Sequence, residues 1–420
     1  MSYTVTNVHA HEIIDSRAKP TVEVAVEMEG VRAVAGVPSG ASTGAREAVE
    51  LRDGDMNRFG GAGVLTAVSN VNGELRDLVL SRSWESLAEI DRAMIELDGT
   101  ENKGRLGANA ILGVSMAFAR AASQYDRTAL WKWLPGIEGQ PPRLPVPCFN
   151  VLNGGAHAPN PLDFQEFMIS PLGAPNFAEA MRAGAEVYAK LKSLLAAGGH
   201  STGLGDEGGF APDLESPEEV CALLVEAITS AGYSAGRDGV MIALDPASSE
   251  FYDGGTYTVS GEKLSSSDMV SRYEKMIVDY PIWSIEDGVA ENDDEGWKAL
   301  TDAIGDRVQL VGDDNFCTNP AIIKRAIENG VANASLIKVN QIGTLTETIE
   351  AMTMCHEAGY GQMVSHRSGE TPDSFIADLV VATGCGQIKT GAPARGERIA
   401  KYNRLLEIAD AHPELSYGLR

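Results

Sequence analysis

The chain reads as an α/β protein in which about eight strand–helix units close into a barrel behind a smaller α+β domain. Three observations predict this. Between residues 240 and 313, short apolar runs alternate with helical periodicity, the pattern of successive βαβ units. Strand-like runs recur from residue 148 to the C-terminus in a number that fits closure, although the count alone also allows an open sheet. The first 130 residues instead place strands first and helices after, which marks a separate unit.

Residues 21–28, Thr-Val-Glu-Val-Ala-Val-Glu-Met, alternate apolar and polar with the two-residue period of a strand that has one wet face. The run at 31–37 continues the pattern after Glu29 and Gly30, so the two predict an antiparallel hairpin. A loop of small residues follows from Pro38 to Gly44, and helical periodicity then covers roughly 64–80, 83–97 and 109–125. Four prolines within 136–147 mark a linker. The expected boundaries are 1–130 for the α+β domain with its Ser39 loop, 131–147 for the linker and 148–420 for the barrel.

Within the barrel, strands are expected at 148–152, 164–169, 240–245, 282–286, 308–313, 334–339, 361–365 and 387–389. Helices are expected at 176–196, 268–279 and 293–304. Several helix starts are explicit. Ser216-Pro217 with Glu219 forms a capping box, as does Thr344 with Glu347, and Asn319-Pro320 pairs a cap with proline at the first helical position.

Composition is that of a globular protein, 44% apolar and 22% charged. The net charge of -25 argues against general nucleic-acid binding and against anionic membranes, but leaves room for a local cationic pocket. Five scattered cysteines, odd in number and without CxxC spacing, suit a reducing compartment, so a cytoplasmic location is expected. No apolar run reaches the ~20 residues of a membrane span, and no signal peptide is indicated at the start.

The residues that close the strands carry the chemistry. Asp245, Glu286 and Asp313 each end an apolar run, and on a parallel sheet they would meet on one face. Three oxygen ligands with no histidine or cysteine nearby in sequence suit a hard cation such as Mg²⁺, although strand-end acids also serve as caps and solvated loop starts. Lys338 and Lys389 also end apolar runs. An inward lysine without a partner is costly, whereas a rim lysine can snorkel to water. Beside bound cations, Lys338 would favour the neutral amine and become a usable base. Glu207 lies in a glycine-dense turn, and Ser39 in a small-residue loop that either covers a site or ends a hairpin. His366, Arg367 and Ser368 together present donors suited to a phosphate or carboxylate. His157 and Glu166 complete the set.

Long stretches then resemble one family over essentially the whole chain. They include Ser39-Gly-Ala-Ser-Thr-Gly, Asn153-Gly-Gly-Ala-His157, Gly205-Asp-Glu-Gly-Gly, Ser284-Ile-Glu-Asp, Lys338-Val-Asn-Gln-Ile-Gly-Thr, Val364-Ser-His-Arg-Ser-Gly-Glu-Thr and Gly386-Gln-Ile-Lys. The chain resembles the enolases, 2-phospho-D-glycerate hydro-lyases. The resemblance implies an enolase-type TIM-like barrel and two Mg²⁺ per site, the first held by Asp245, Glu286 and Asp313 and the second with help from Ser39. It implies Lys338 as the base at C2, and Glu207 supported by Glu166 as the acid at the C3 hydroxyl. Arg367 and Ser368 would hold the phosphate, Lys389 the carboxylate, and His157 and His366 would line the pocket. The implied partners are a small phosphorylated carboxylate and a second copy of the chain, as a homodimer or higher homo-oligomer.

Some stretches depart from the family. The chain reads Asp15-Ser-Arg-Ala-Lys-Pro20 where relatives have Asp-Ser-Arg-Gly-Asn-Pro. Ala156 replaces a usual serine, and Thr383-Gly-Cys385 and Asn315-Phe-Cys-Thr are atypical. Such changes around an intact charged set also suit a paralogue such as a carboxyphosphonoenolpyruvate synthase. A binding protein that had lost catalysis is the third reading.

Overall fold

The two-residue alternation forms the centre of a three-stranded antiparallel sheet, β1 (Val5–Ile14), β2 (Pro20–Met28) and β3 (Val31–Gly36). The computed structural model describes residues 2–40 and 44–419, so part of the expected Ser39 loop, residues 41–43, lies outside the described residues. The hairpin of β2 and β3 is as expected, but β1 is an addition. A register shift between Val5 and Asn7 places Val5, Val8 and Ala10 inward, so the apolar spacing loses its strict period and escapes a reading by alternation. Helices follow at Leu65–Leu80 (interrupted by a π-helical turn over Val71–Leu75), Leu87–Asp98 and Ala108–Tyr125. The last is buried along nearly its whole length against the sheet. Gly113 permits the approach, because a Cβ there would stand 2.5 Å from Cγ2 of Val24.

After a short helix at Leu130–Trp133, eight strands close into a barrel. They are β4 (Val146–Asn153), β5 (Glu166–Ser170), β6 (Met241–Asp245), β10 (Ile282–Glu286), β11 (Gln309–Gly312), β12 (Ala334–Ile337), β13 (Gly361–Ser365) and β14 (Gln387–Lys389). The labels β7 to β9 belong to a small antiparallel sheet over residues 252–264. The ring runs β10-β11-β12-β13-β14-β4-β5-β6.

One strand corrects the expectation of uniform βαβ units. β5 runs antiparallel to both β4 and β6, with Glu166 opposite Asn153 and Asp245. Only 12 residues and a 3₁₀ turn separate β4 from β5, too few for the crossover helix that a parallel pair needs. Two helices, Phe177–Ala197 and Pro217–Ser230, then lead to β6. Glu166 therefore begins its strand instead of ending it, and the reversal brings it to the same rim as the carboxyl ends of the other strands.

The predicted helix starts take slightly different forms. Ser216 and Thr344 accept from the backbone N–H of Glu219 and Glu347, and Asn319 accepts from Ala321. The Glu219 carboxylate reaches back to Glu215 at 3.3 Å, one residue before the cap, so the box is displaced. A fully reciprocal box occurs instead at Ser265 and Asp268.

Beneath the rim, Cys148, Met168, Ala243, Trp283, Val311, Ala334, Leu336 and Met363 fill the barrel interior. The small domain docks on the barrel through buried polar contacts. Arg120 pairs with Asp373 at 2.7 Å, Ser39 and Gly369 exchange backbone hydrogen bonds, and Asp91 accepts from the backbone N–H and hydroxyl of Thr346 at 3.0 and 2.6 Å. Asp91 is fully buried, and that burial lifts its carboxyl to about 6, despite the donors of Thr346 and Ser115.

A carboxyl raised above its unfolded value of about 4 favours the native state only while protonated. Ionisation of Asp91 thus costs the fold up to about 3 kcal/mol above pH ~6, a cost that vanishes toward pH ~4. Asp91→Asn keeps an acceptor for Thr346 without the charge. It is expected to raise the stability measured by denaturant unfolding at pH 8 by about 1–3 kcal/mol, with the gain shrinking to near zero at pH 4. A gain equal at both pH values would contradict this.

Candidate active site

With the interior packed, the open rim is where side chains can meet a ligand. Asp245 and Glu286 are the last residues of β6 and β10, Asp313 follows β11 directly, and all three are buried. Because β6, β10 and β11 are neighbours in register, their carboxylates are brought side by side. Lys389 ends β14 and extends among them, its Nζ 3.0 Å from Asp245 Oδ2, 2.8 and 2.9 Å from the two oxygens of Glu286, and 3.2 Å from Glu166. Lys338, just past β12, pairs with Asp313.

The electrostatics follow from burial and these pairs. Burial pushes the Glu286 carboxyl well up, and the Asp245 charge adds to it. Burial also acts to raise Asp313, but Lys338 and Lys389 outweigh it and leave that carboxyl below its ordinary value. For both lysines burial opposes the charge and the carboxylates win. Asp313 raises the Lys338 amine, and Asp245, Glu166 and Glu286 raise Lys389 further. In this state Lys338 is an ammonium.

Two further acids stand behind the first set. Asp287 accepts from the backbone N–H groups of Asp313 at 2.9 Å and Asp314 at 3.0 Å, fixing the turn after β11. Burial and neighbouring acids lift Asp287 well up and bring Asp314 to about 7. The rim thus gathers Glu166, Glu207, Asp245, Glu286, Asp287, Asp313 and Asp314 against Lys338, Arg367 and Lys389. Such an excess of oxygen donors is the chemistry that divalent hard cations satisfy. Among the described residues, two groups bring ligand atoms within 4.8 Å of one another, His157 with Glu166 and Glu207, and Asp287 with Asp313 and Asp314.

The opposite side of the rim is built by β4, β5 and the glycine-dense turn. His157 sits in the 3₁₀ turn after β4, with Nδ1 3.6 Å from Glu166 and 3.8 Å from Glu207. Glu207 Oε2 accepts from Asn150 Nδ2 and lies against His366 Nε2, both at 3.0 Å. Although burial acts to raise both acids, the two divide. His366 and His157 hold Glu207 well below its ordinary value, whereas the Glu207 charge adds to burial and pushes Glu166 well up. Glu166 therefore favours its neutral form and Glu207 its charged form.

Arg367 is buried and engaged by Glu47 of the small domain, through contacts of 3.1 and 3.2 Å, and by Asn340 at 3.0 Å. Ser368 lines the same pocket. Ser39 stands apart from the acids. It is buried, and its hydroxyl accepts from Arg52 at 2.8 Å.

The sequence reading missed Glu47, Asn150, Gln341 and Arg398, each hydrogen-bonded to a rim side chain, Asp287, which fixes the turn after β11, and Asp314 beside it. The doubled acids Glu286-Asp287 and Asp313-Asp314 were a visible signal. Gln341, which donates to Asp313 Oδ1 at 2.8 Å, offered none.

Fold and rim define an α/β-barrel enzyme with a small docked domain and a buried carboxylate–lysine site. The comparisons narrow the class. The family model "Enolase, N-terminal domain" matches residues 5–134, and "Enolase, C-terminal TIM barrel domain" matches residues 142–416. Over 410 residues the chain is 58% identical to the enolase of Rubrobacter xylanophilus (strain DSM 9941 / JCM 11954 / NBRC 16129 / PRD-1), covering 97% of this chain and 95% of that protein. The chain belongs to the enolase family.

Proposed function

We propose that the chain catalyses the reversible dehydration of 2-phospho-D-glycerate to phosphoenolpyruvate, with Lys338 as the base and the Glu166–Glu207 pair as the acid. The activity is that of its family, a carbon–oxygen lyase. The phosphonate and binding-only readings have no observation in their favour beside that likeness.

The observation that supports the residue roles is the ring order. Lys338 follows β12, and Glu166 begins β5, which stands four places away in a ring of eight, directly across the barrel. A substrate between them has its C2 proton facing one arm and its C3 hydroxyl facing the other, as an anti elimination requires. Once in its neutral amine form, Lys338 Nζ accepts the C2 proton, and the proton held by the acid pair passes to the C3 oxygen, which leaves as water. Lys389 faces the substrate carboxylate, on which charge develops as C2 is deprotonated. Arg367 and Ser368 take the phosphate, and His157 and His366 enclose the acid arm.

Enolases use Mg²⁺, and the donor set fits it. Asp245, Glu286 and Asp313 would hold one ion, with Ser39 assisting a second after moving from its contact with Arg52. An ion held there would supply positive charge beside the substrate carboxylate and draw on the Asp313 charge that keeps Lys338 protonated.

A location in the cytoplasm is supported by five cysteines that are all free. Among the described residues no helix is long and apolar enough to cross a membrane. Assembly into a homodimer is supported by Ile14, Met56, Phe59 and Leu65, large apolar side chains of the small domain that are 47–74% exposed.

Three outcomes are expected. Wild type forms phosphoenolpyruvate, read by ultraviolet absorbance, and Lys338→Ala lowers kcat by about 10³-fold with an unchanged Tm. Retained turnover in that variant would remove Lys338 as the base. Mg²⁺ raises the Tm of the wild type, whereas Glu286→Gln needs at least about tenfold more Mg²⁺ for the same rise. The same Mg²⁺ response in both proteins would take Glu286 out of the ligand set. Sedimentation should give a dimer for the wild type and a smaller species for Met56→Glu/Phe59→Lys. A wild-type monomer would end the assembly proposal.

A further inference from the structure

We propose that Arg398 is a positioning residue for the acid arm: it fixes His366 as the Nε2–H tautomer and so aims that imidazole's proton at Glu207. Nothing in the motif set points to it. Arg398 lies in the first turn of the helix Gly396–Ala411, and its side chain is fully buried beneath the rim. Its Nη1 donates to His366 Nδ1 and to the Arg367 carbonyl, both at 2.6 Å. Its Nη2 donates to the Ser368 carbonyl at 2.7 Å and the Asp206 carbonyl at 3.1 Å. All four Nη hydrogens are thereby used, and the Glu397 carboxylate lies 3.4 Å from Nε to balance the charge.

The chemistry of the guanidinium decides the tautomer. Arg stays protonated and only donates, so the nitrogen 2.6 Å away, His366 Nδ1, must accept. The ring proton is then on Nε2, where it faces Glu207 Oε2 at 3.0 Å. With the proton on Nδ1, two N–H groups would collide at one end of the ring, and a lone pair would face a carboxylate at the other. Asn150 donates to the same Glu207 oxygen, so the carboxylate is held from two sides.

The three carbonyls tie together the segments that carry Glu207, Arg367 and Ser368, so one side chain sets both the acid arm and the phosphate end. Gly391 makes the space, since a Cβ there would stand 2.9 Å from Arg398 Cδ. A buried guanidinium is an expensive way to fill volume that an apolar side chain of similar length would fill. What the charge adds is a donor that cannot become an acceptor.

This inference rests on the proposed acid role of the Glu166–Glu207 pair, and its test separates the two. In wild-type protein with ¹⁵N-labelled histidine, His366 should show an unprotonated Nδ1 and a protonated Nε2. A protonated Nδ1 overturns the proposal whatever any variant does, and the measurement needs no turnover. Arg398→Met and Arg398→Lys are then compared in two rates on 2-phosphoglycerate. Exchange of the C2 proton with deuterated water reports the Lys338 arm alone, and phosphoenolpyruvate formation needs the acid arm as well. In Arg398→Met, exchange should stay within about threefold of wild type while dehydration falls about 100-fold, with partial recovery in Arg398→Lys. Equal losses in both rates, or none, overturn the proposal. Absence of dehydration by the wild type would instead sink the functional reading and leave the tautomer measurement to decide on Arg398.

Discussion

The rim depends on one constraint: more acidic than basic side chains are buried in one place. A carboxylate removed from water costs several kcal/mol unless something pairs with it, and the strand ends of β6, β10 and β11 bring three together by their register. Lys389 answers by crossing the barrel from β14 to β10, which lie opposite one another in the ring, to reach Asp245, Glu286 and Glu166 at once. Lys338 answers for Asp313. The imbalance that remains after both lysines are spent is what makes the site receptive to divalent cations, and it explains why the two amines are so strongly held as ammonium ions.

The parts legible in sequence were those that interrupt a pattern. A charged residue closing an apolar run is visible without any knowledge of partners, and Asp245, Glu286, Asp313, Lys338 and Lys389 all announced themselves in this way. The reversal of β5 was hidden, because periodicity tells face from face but says nothing of direction. Glu166 was placed at the right rim for the wrong reason. Glu47 and Arg398 were hidden differently. Each acts on a residue far away in sequence, Arg367 for the first and His366 for the second, and neither interrupts a local pattern.

Departures from the family pattern find uneven explanations. Ala18 adopts φ 57°, in the left-handed region where the family's glycine carries no Cβ penalty. The turn survives because Asp15 Oδ1 accepts from the backbone of both Arg17 and Lys19, at 2.8 and 2.9 Å. Asn315-Phe-Cys-Thr holds two more such residues, Cys317 at φ 49° and Thr318 at φ 51°, and Cys317 packs against Gly44, where a Cβ would stand 2.7 Å from its Sγ. Ala156 is exposed, so the lost hydroxyl removes no contact within the site. Nothing in the structure explains Thr383-Gly-Cys385.

The two halves of the reaction place opposite demands on their surroundings, and the barrel separates them. The proposed base must be able to shed a proton, and the Lys338 charge depends chiefly on one carboxylate, Asp313. The proposed acid must keep its proton until the leaving group departs, and burial with mutual repulsion in the Glu166–Glu207 pair favours one shared proton. Repulsion alone would let that proton sit on either carboxylate. The hydrogen bonds to Glu207 break the symmetry, and the direction of the decisive one is set by a guanidinium that can only donate. The control of the acid arm therefore reaches beyond the residues that face the pocket, into the buried layer beneath them.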